Sequence, residues 1–135
     1  PFNNTNLNKT TDKFTVEFRS QIEDGNITLA KEGFSLTVDK DNKATLKTTD
    51  LKFTDYNNKA YELSDARVAS HRLELVGEDV AEYIELTSTT FVNGEVKIQR
   101  KNQTVIPEAK TFQVKLTVTD KLNRTKVATV NVTVK

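Results

Sequence analysis

Carboxylates stand at several places where the chain is expected to turn. Asp39, Asp41 and Asn42 lie close together in the sequence. Further aspartates stand at predicted strand ends: Asp50, Asp55 and Asp120. Calcium takes about six to eight oxygen ligands, commonly from loop carboxylates, but this segment lacks the glycine and the later glutamate of an EF-hand. Because Asp and Asn in turns also bond to their own backbone, calcium stays open as a cofactor while the metal-free interpretation is favoured.

The chain has one histidine, His71, and no cysteine. A hydrolytic triad needs a base that is oriented by an acid and placed beside an activated nucleophile, and the neighbours Ser70 and Arg72 do not supply these roles. No serine lies in a G-x-S-x-G motif, and a lone histidine without cysteine does not build the usual zinc site. We therefore interpret His71 as structural or exposed, and we assign no catalytic residue, no cofactor-binding residue and no metal ligand.

An acidic run and three tyrosines are the remaining candidates for functional residues. The run comprises Glu78, Asp79, Glu82 and Glu85. Paired carboxylates cleave glycosides only at a set separation around a cleft, whereas carboxylates that alternate with apolar residues are typical of a solvated face. A sugar-binding platform could use Tyr56, Tyr61 and Tyr83. Because the chain has seven Phe and no Trp, we expect most aromatic side chains to pack the core.

The composition excludes several classes of protein. A chain of 135 residues predicts one domain. Its 20 basic and 19 acidic residues give a net charge of +1, so a phosphate-binding surface for nucleic acid is not expected. No apolar run approaches the roughly 20 residues of a membrane span. The chain has no Met, even at position 1, so we expect a processed or excised piece whose signal peptide is not part of this sequence.

The clearest structural signal is the segment 111–134. Apolar residues occupy every second position of both its arms, and Asp120 and Asn123 stand where the chain must reverse. The apolar positions are Phe112, Val114, Leu116, Val118, Ala128, Val130, Val132 and Val134. A period of two places each apolar set on one face of an extended strand. The segment therefore predicts a long β-hairpin with one apolar face, and that face must lie on a second sheet.

Shorter signals predict the other elements. A phase shift at Lys31–Gly33 predicts a turn or a glycine bulge. Asn93–Gly94 predicts a type I′ turn in which Val92 faces Glu95 and Phe91 faces Val96. After Gly77 we expect one turn of helix and then a strand through Ile84 and Leu86. With a first strand over 14–18, the pattern predicts nine to eleven short strands and an all-β fold.

One short pattern occurs twice. Leu51–Asp55 is followed by Asn58 and a basic residue, and Leu116–Asp120 is followed by Asn123 and a basic residue. The two copies are 65 residues apart, which is too short for a seven-strand sandwich of about 100 residues. We therefore predict one hairpin design that is used twice within a single domain.

These motifs resemble a known group of modules. The closing hairpin, with Val118-Thr119-Asp120 before the turn and Val-Thr-Val at its end, resembles that of bacterial Ig-like, PKD-like and cadherin-like modules. The segment KFTDYNNKAYEL (52–63) resembles the opening strands of Ig-like repeats in bacterial surface proteins, where Gly often stands at the place of Asn58. The absence of Cys, Met and Trp is similar to S-layer proteins. The resemblance covers 51–135 and implies a sandwich displayed outside a bacterial cell, and cadherin-like modules bind calcium between domains.

We therefore expect an all-β, Ig-like antiparallel β-sandwich over residues 13–135, preceded by a linker or lead-in arm over 1–12. The expected function is that of a non-enzymatic structural or spacer module of a secreted bacterial surface protein, located in the cell wall or S-layer. Its expected partners are neighbouring domains of the same protein, with self-assembly left open. The alternative is a ligand-binding module, for glycan or host protein, attached to a larger surface protein or enzyme. An enzyme would need a second reactive residue near His71 or two converging carboxylates.

Overall fold

The computed structural model describes residues 21–101, 106 and 108–135, so the predicted arm over 1–12 and the predicted strand over 14–18 lie outside the described residues. The described part contains nine strands and two single-turn helices. The strands are β1 (Asn26–Leu29), β2 (Ser35–Val38), β3 (Ala44–Lys47), β4 (Leu51–Thr54), β5 (Val68–Val76), β6 (Ile84–Leu86), β7 (Glu95–Arg100), β8 (Lys110–Asp120) and β9 (Thr125–Val134). The helices are a 3₁₀ turn (Thr48–Asp50) between β3 and β4, and α1 (Val80–Tyr83) before β6.

The strands form two layers around one core. The first layer, the hairpin sheet, has the order β2-β9-β8-β5. The second layer consists of β3-β7-β6 together with the pair β1-β4, and buried side chains from both layers form a single apolar cluster. We take β1 and β2 as the two halves of strand A and β3 and β4 as the two halves of strand B, so that β5 to β9 correspond to strands C to G. The second layer then has the order A-B-E-D, and the hairpin sheet has the order C-F-G with the second half of strand A beside G. This is the arrangement of an immunoglobulin-type sandwich. The all-β, Ig-like fold is therefore confirmed.

One strand pairing departs from a purely antiparallel sandwich. β2 runs parallel to β9, with Ser35 opposite Asn131 and Val38 opposite Val134, whereas the other paired strands are antiparallel. The predicted phase shift explains how β2 reaches this sheet. Gly33 has a positive φ of 75°, and the turn closed by Phe34 N–H on Lys31 O (3.1 Å) moves the chain from the second layer to the hairpin sheet.

The C-terminal hairpin has the predicted faces. Its ten residue pairs run from Lys110 opposite Val134 to Thr119 opposite Thr125. The inward side chains are almost completely buried, and they include Val114, Leu116, Val118, Val130 and Val132. The alternate positions are only partly buried or exposed. Two-residue alternation therefore fixed both the register and the buried face of this hairpin.

The middle of the chain also follows its local signals. Asn93 and Gly94 both have positive φ (53° and 79°), and Val92 and Glu95 exchange backbone hydrogen bonds of 2.8 and 3.0 Å, as a type I′ turn requires. The expected helical turn is α1, and β6 follows it directly. Phe91, which was expected to face Val96, places its ring 5.7 Å from that of His71.

Truncation of the inner face of β8 tests this register. Leu116 is 2% exposed, so Leu116→Ala should lower the free energy of unfolding by about 2–5 kcal/mol, through lost burial and the cavity that remains. Thr117, on the opposite face, is the matched control, and Thr117→Ala should change it by about 0.5 kcal/mol or less. Urea unfolding measures both. An equal effect, or a larger one at Thr117, would mean that the face is inverted.

Candidate functional site

The two copies of the repeated pattern fold into the same turn. In each, an aspartate Oδ1 accepts the backbone N–H groups of the second and fourth residues after it, at 2.8 and 3.0 Å for Asp55 and at 2.8 and 2.9 Å for Asp120. Asn58 and Asn123 hold the left-handed position with φ of 65° and 68°. This geometry is that of a three-residue loop with a left-handed residue at its end. Both copies of the pattern therefore form the same turn, as predicted, although the first is followed only by an isolated bridge from Thr54 to Ala60.

The first of these turns is also held by an arginine from just before β5. Arg67 Nη1 lies 2.9 Å from Asp55 Oδ2, and its Nε and Nη2 donate to the two carboxylate oxygens of Asp65 at 2.9 and 3.0 Å. The Arg67 guanidinium lies 5.7 Å from the centre of the Tyr61 ring. The network joins the turn after β4 to the start of β5, so it fixes one end of the sandwich.

These contacts determine the ionisation of the two carboxyl groups. The backbone N–H of Lys59, followed by the Arg67 side chain, lowers the pKa of Asp55 below its usual value. The hydrogen bonds from Arg67 lower the pKa of Asp65 to about 2. Both carboxylates in turn raise the pKa of Arg67. The network is therefore charged over the whole neutral range, and it is a structural device rather than a proton donor.

The other carboxylates named for calcium also cap turns. Asp39 Oδ1 accepts the backbone N–H groups of Asp41 and Asn42, both at 2.8 Å, and these bonds lower the pKa of Asp39. Asp50 Oδ2 accepts the N–H of Lys47 at 2.9 Å. Across residues 21–101, 106 and 108–135, no three His, Asp or Glu side chains gather in a way that could hold a metal ion. The structure places these carboxylates in separate turns.

His71 lies on the inner face of β5, opposite Val118. Its Nε2 accepts the backbone N–H of Phe91 at 3.0 Å, and burial lowers its pKa. Because Nε2 is the acceptor, the neutral ring carries its proton on Nδ1. His71 thus holds the segment after β6 against β5, assisted by the N–H of Leu73, which donates to Thr89 O at 2.7 Å. These contacts are of the structural kind that the sequence suggested for this histidine.

The acidic run does not form a paired site. Glu78, Asp79 and Glu82 are exposed, and Glu85 accepts a hydrogen bond from Gln99 Nε2 at 2.6 Å. The run follows the helical turn and the short β6, where a solvated face was expected. The arrangement does not provide the facing carboxylates that glycoside cleavage needs.

The three tyrosines make separate contacts. Tyr56 is 44% exposed, whereas Tyr61 is buried with its ring 5.7 Å from that of Phe53. Tyr83 is stacked on Phe112 at 5.9 Å and has Lys110 Nζ 5.4 Å from its ring centre. The structure therefore does not join them into the sugar-binding platform that the sequence left open.

The feature that sequence reasoning missed is an apolar cavity of about 590 Å³ beside β4. Its apolar walls are Leu51, Phe53, Ala60, Tyr61, Leu63 and Phe91, and His71 and Gly94 complete them. Thr48, Thr49, Lys52, Thr54, Glu62 and Ser64 also line it. The sequence assigned most aromatic residues to the core and named Tyr61 only for a possible sugar-binding platform, and the local pattern gives no signal that Phe53, Tyr61 and Phe91 border one open space.

The cavity arises because the second layer is incomplete at this point. β7 begins at Glu95, opposite Lys47, and the 3₁₀ turn then separates β3 from β4. β4 pairs with β1 on one side and bridges only to Ala60 on the other. Leu51 and Phe53 therefore extend the inward apolar face of the second layer beyond Glu95, the first residue of β7. His71 of β5 borders the resulting space.

Comparisons with known proteins do not identify a family for this chain. No family model and no curated protein matches the chain. Among solved structures, the chain is similar to the solution structure of the PKD domain from KIAA 1837 protein, at 18% identity and a TM-score of 0.43, over 90% of this chain and 92% of that chain. A likeness of this strength supports no assignment. The Ig-like sandwich is identified instead from the order of the strands in the two layers. The described residues include no helix that is long and apolar enough to span a membrane.

Replacement of Asp55 tests the turn network. Asn keeps one acceptor oxygen but loses the charge and turns an amide toward Arg67, so Asp55→Asn should lower the melting temperature at about pH 7. The depressed pKa of Asp55 contributes stability that is present above its unfolded value of about 3.9 and lost as the pH falls through the folded value. The difference between wild type and variant should therefore shrink in acid.

Calorimetric melting over a pH series measures this difference. Asp41→Asn, at an exposed turn position, is the matched control and should change the melting temperature little. A difference for Asp55→Asn that stays constant from neutral pH to strong acid would contradict a role for the charged carboxylate.

Proposed function

We propose that this chain is a non-enzymatic structural or spacer module of a bacterial cell-surface protein, of S-layer or adhesin-stalk type. The observation that carries the proposal is the path of the chain. Gln21 lies beside both aspartate turns, since its carbonyl accepts the N–H of Tyr56 at 2.9 Å and it borders a small cavity together with Lys121 and Leu122. Lys135 follows the far end of β9, where its N–H donates to Val38 O at 2.9 Å.

The two positions are separated by the length of β9. This strand has ten residues and, at about 3.3 Å per residue, is about 33 Å long. Between Gln21 and Lys135 the chain thus runs from one end of the described sandwich to the other. Such a module adds a fixed length to a rod, which is the geometry a spacer needs.

The strand pairing suits a module that carries tension along this axis. β2 and β9 are parallel, so a force that pulls the chain before β2 toward one end and Lys135 toward the other slides these strands past each other. All hydrogen bonds of the pair then resist together instead of opening one at a time. The aspartate turn after β4, tied by Arg67, stiffens the end of the sandwich at which Gln21 lies.

The cell-surface setting rests on the sequence resemblance, and neighbouring domains of the same protein are the proposed partners. The near balance of charge agrees with a module that binds no polyanion. A non-enzymatic role agrees with the geometry, because His71 is bonded to a backbone N–H and the acidic run does not converge. The alternative, a ligand-binding module, is favoured by one observation, the cavity beside β4.

Single-molecule force spectroscopy tests the spacer role. The chain has no cysteine, so pairs of introduced cysteines give unique attachment points. Loading through Gln21→Cys and Lys135→Cys should need a higher unfolding force than loading through Lys110→Cys and Lys135→Cys, because the latter opens the β8–β9 pair from its free end, where Lys110 faces Val134.

Both double variants should first show the same melting temperature as the parent chain, so that the comparison reports the direction of loading alone. An unfolding force along the Gln21–Lys135 axis that is equal to or below the force for opening the hairpin would contradict a load-carrying spacer.

A further inference from the structure

We propose that the cavity beside β4 is a binding site for a small, largely apolar ring compound that carries one hydrogen-bond acceptor, such as a carbonyl oxygen. This proposal does not depend on the spacer role. Small-molecule sites are usually pre-formed concave pockets of about 300–1,000 Å³ with apolar and aromatic walls and few polar groups. The cavity has a volume of about 590 Å³, which is within this range.

The walls favour a ring. Phe53 and Tyr61 meet at a tilt with their centres 5.7 Å apart, and Phe91 borders the cavity together with His71. Aromatic walls make favourable stacked and edge-to-face contacts with an aromatic guest. Lys52 and Glu62 also line the cavity, and their opposite charges give it no preference for a charged ligand.

The acceptor follows from the state of His71. Its Nε2 accepts the N–H of Phe91, so the neutral ring keeps a donor at Nδ1. His71 is among the residues that line the cavity, whose walls are mostly apolar, so a ligand there lies beside the ring that carries this donor. A ligand oxygen that accepts it would make a hydrogen bond in a poorly solvated place, where such a bond contributes more than at the surface.

The cavity is held open by contacts that do not need a ligand. Thr48 N–H donates to Gly94 O at 3.0 Å, Tyr61 N–H to Phe53 O at 3.0 Å and Leu73 N–H to Thr89 O at 2.7 Å. These bonds fix the surrounding segments, so little ordering is required on binding.

The test is an NMR titration of the full chain with acetophenone, a ring with one carbonyl group. A probe of this size should bind with a dissociation constant of about a millimolar, with saturable shifts at Phe53, Tyr61 and Phe91. Ethylbenzene, which lacks the oxygen, should bind more weakly. Absence of saturable shifts at these residues overturns the site, and equal binding of the two probes overturns the assignment of an acceptor-bearing ligand.

A pair of variants locates the binding. Leu63→Trp adds a large ring to the cavity wall and should weaken acetophenone binding at least about tenfold, which corresponds to about 1.4 kcal/mol. Leu122→Trp is the matched control on an exposed turn (Leu122 is 71% exposed) and should leave binding unchanged. Leu63→Phe is the substitute if Leu63→Trp does not unfold cooperatively. Unchanged binding in a folded Leu63 variant overturns the proposal.

Discussion

The constraint on which the rest of the structure depends is the two-residue period of β8 and β9. Their ten residue pairs place one unbroken apolar row against the second layer and one polar row outward. β5 pairs along β8 and β2 along β9, so the hairpin sets the direction of every other strand in its sheet. A slip of one residue would turn the whole apolar set to water, and the second layer would lose the surface on which it packs.

The two aspartate turns, at Asp55 and Asp120, are the second stabilising feature of the sandwich. Asp55 and Asp120 are both almost fully buried, yet each carboxylate is satisfied by backbone N–H groups and an arginine. A buried carboxylate is tolerated only with such partners. The same solution at both turns explains why the short pattern occurs twice in the chain. It also accounts for aspartates that composition alone could assign to calcium.

Local signals predicted local structure well. The hairpin faces, the Asn93–Gly94 turn, the break at Gly33 and the helical turn before β6 follow from side-chain period and turn chemistry. Partner choice was harder, because alternation defines which face of a strand is buried but not which strand lies beside it. Alternation therefore did not predict that β2 pairs in parallel with β9. It also did not predict that Arg67 contacts Asp55, twelve residues away in the chain.

The cavity beside β4 is a second example of a feature that depends on strand pairing and that local sequence signals do not predict. Leu51 and Phe53 follow the apolar pattern of a core strand and are buried, but the open space beside them depends on where β7 begins. That starting point is a property of the sheet, set by the pairing of Glu95 with Lys47. The types of the residues around the cavity do not indicate it. Thus the fold could be predicted from the sequence, whereas the candidate site could not.

Native-state hydrogen exchange tests the central claim most directly. β8 and β9 are the interior strands of the hairpin sheet, and interior strands exchange only through the largest opening events. The account predicts that the amides of Val114, Leu116, Val130 and Val132 exchange slowest, with an opening free energy equal to that of global unfolding. Faster exchange at these positions than in the β1–β4 pair would contradict the claim that the hairpin organises the fold.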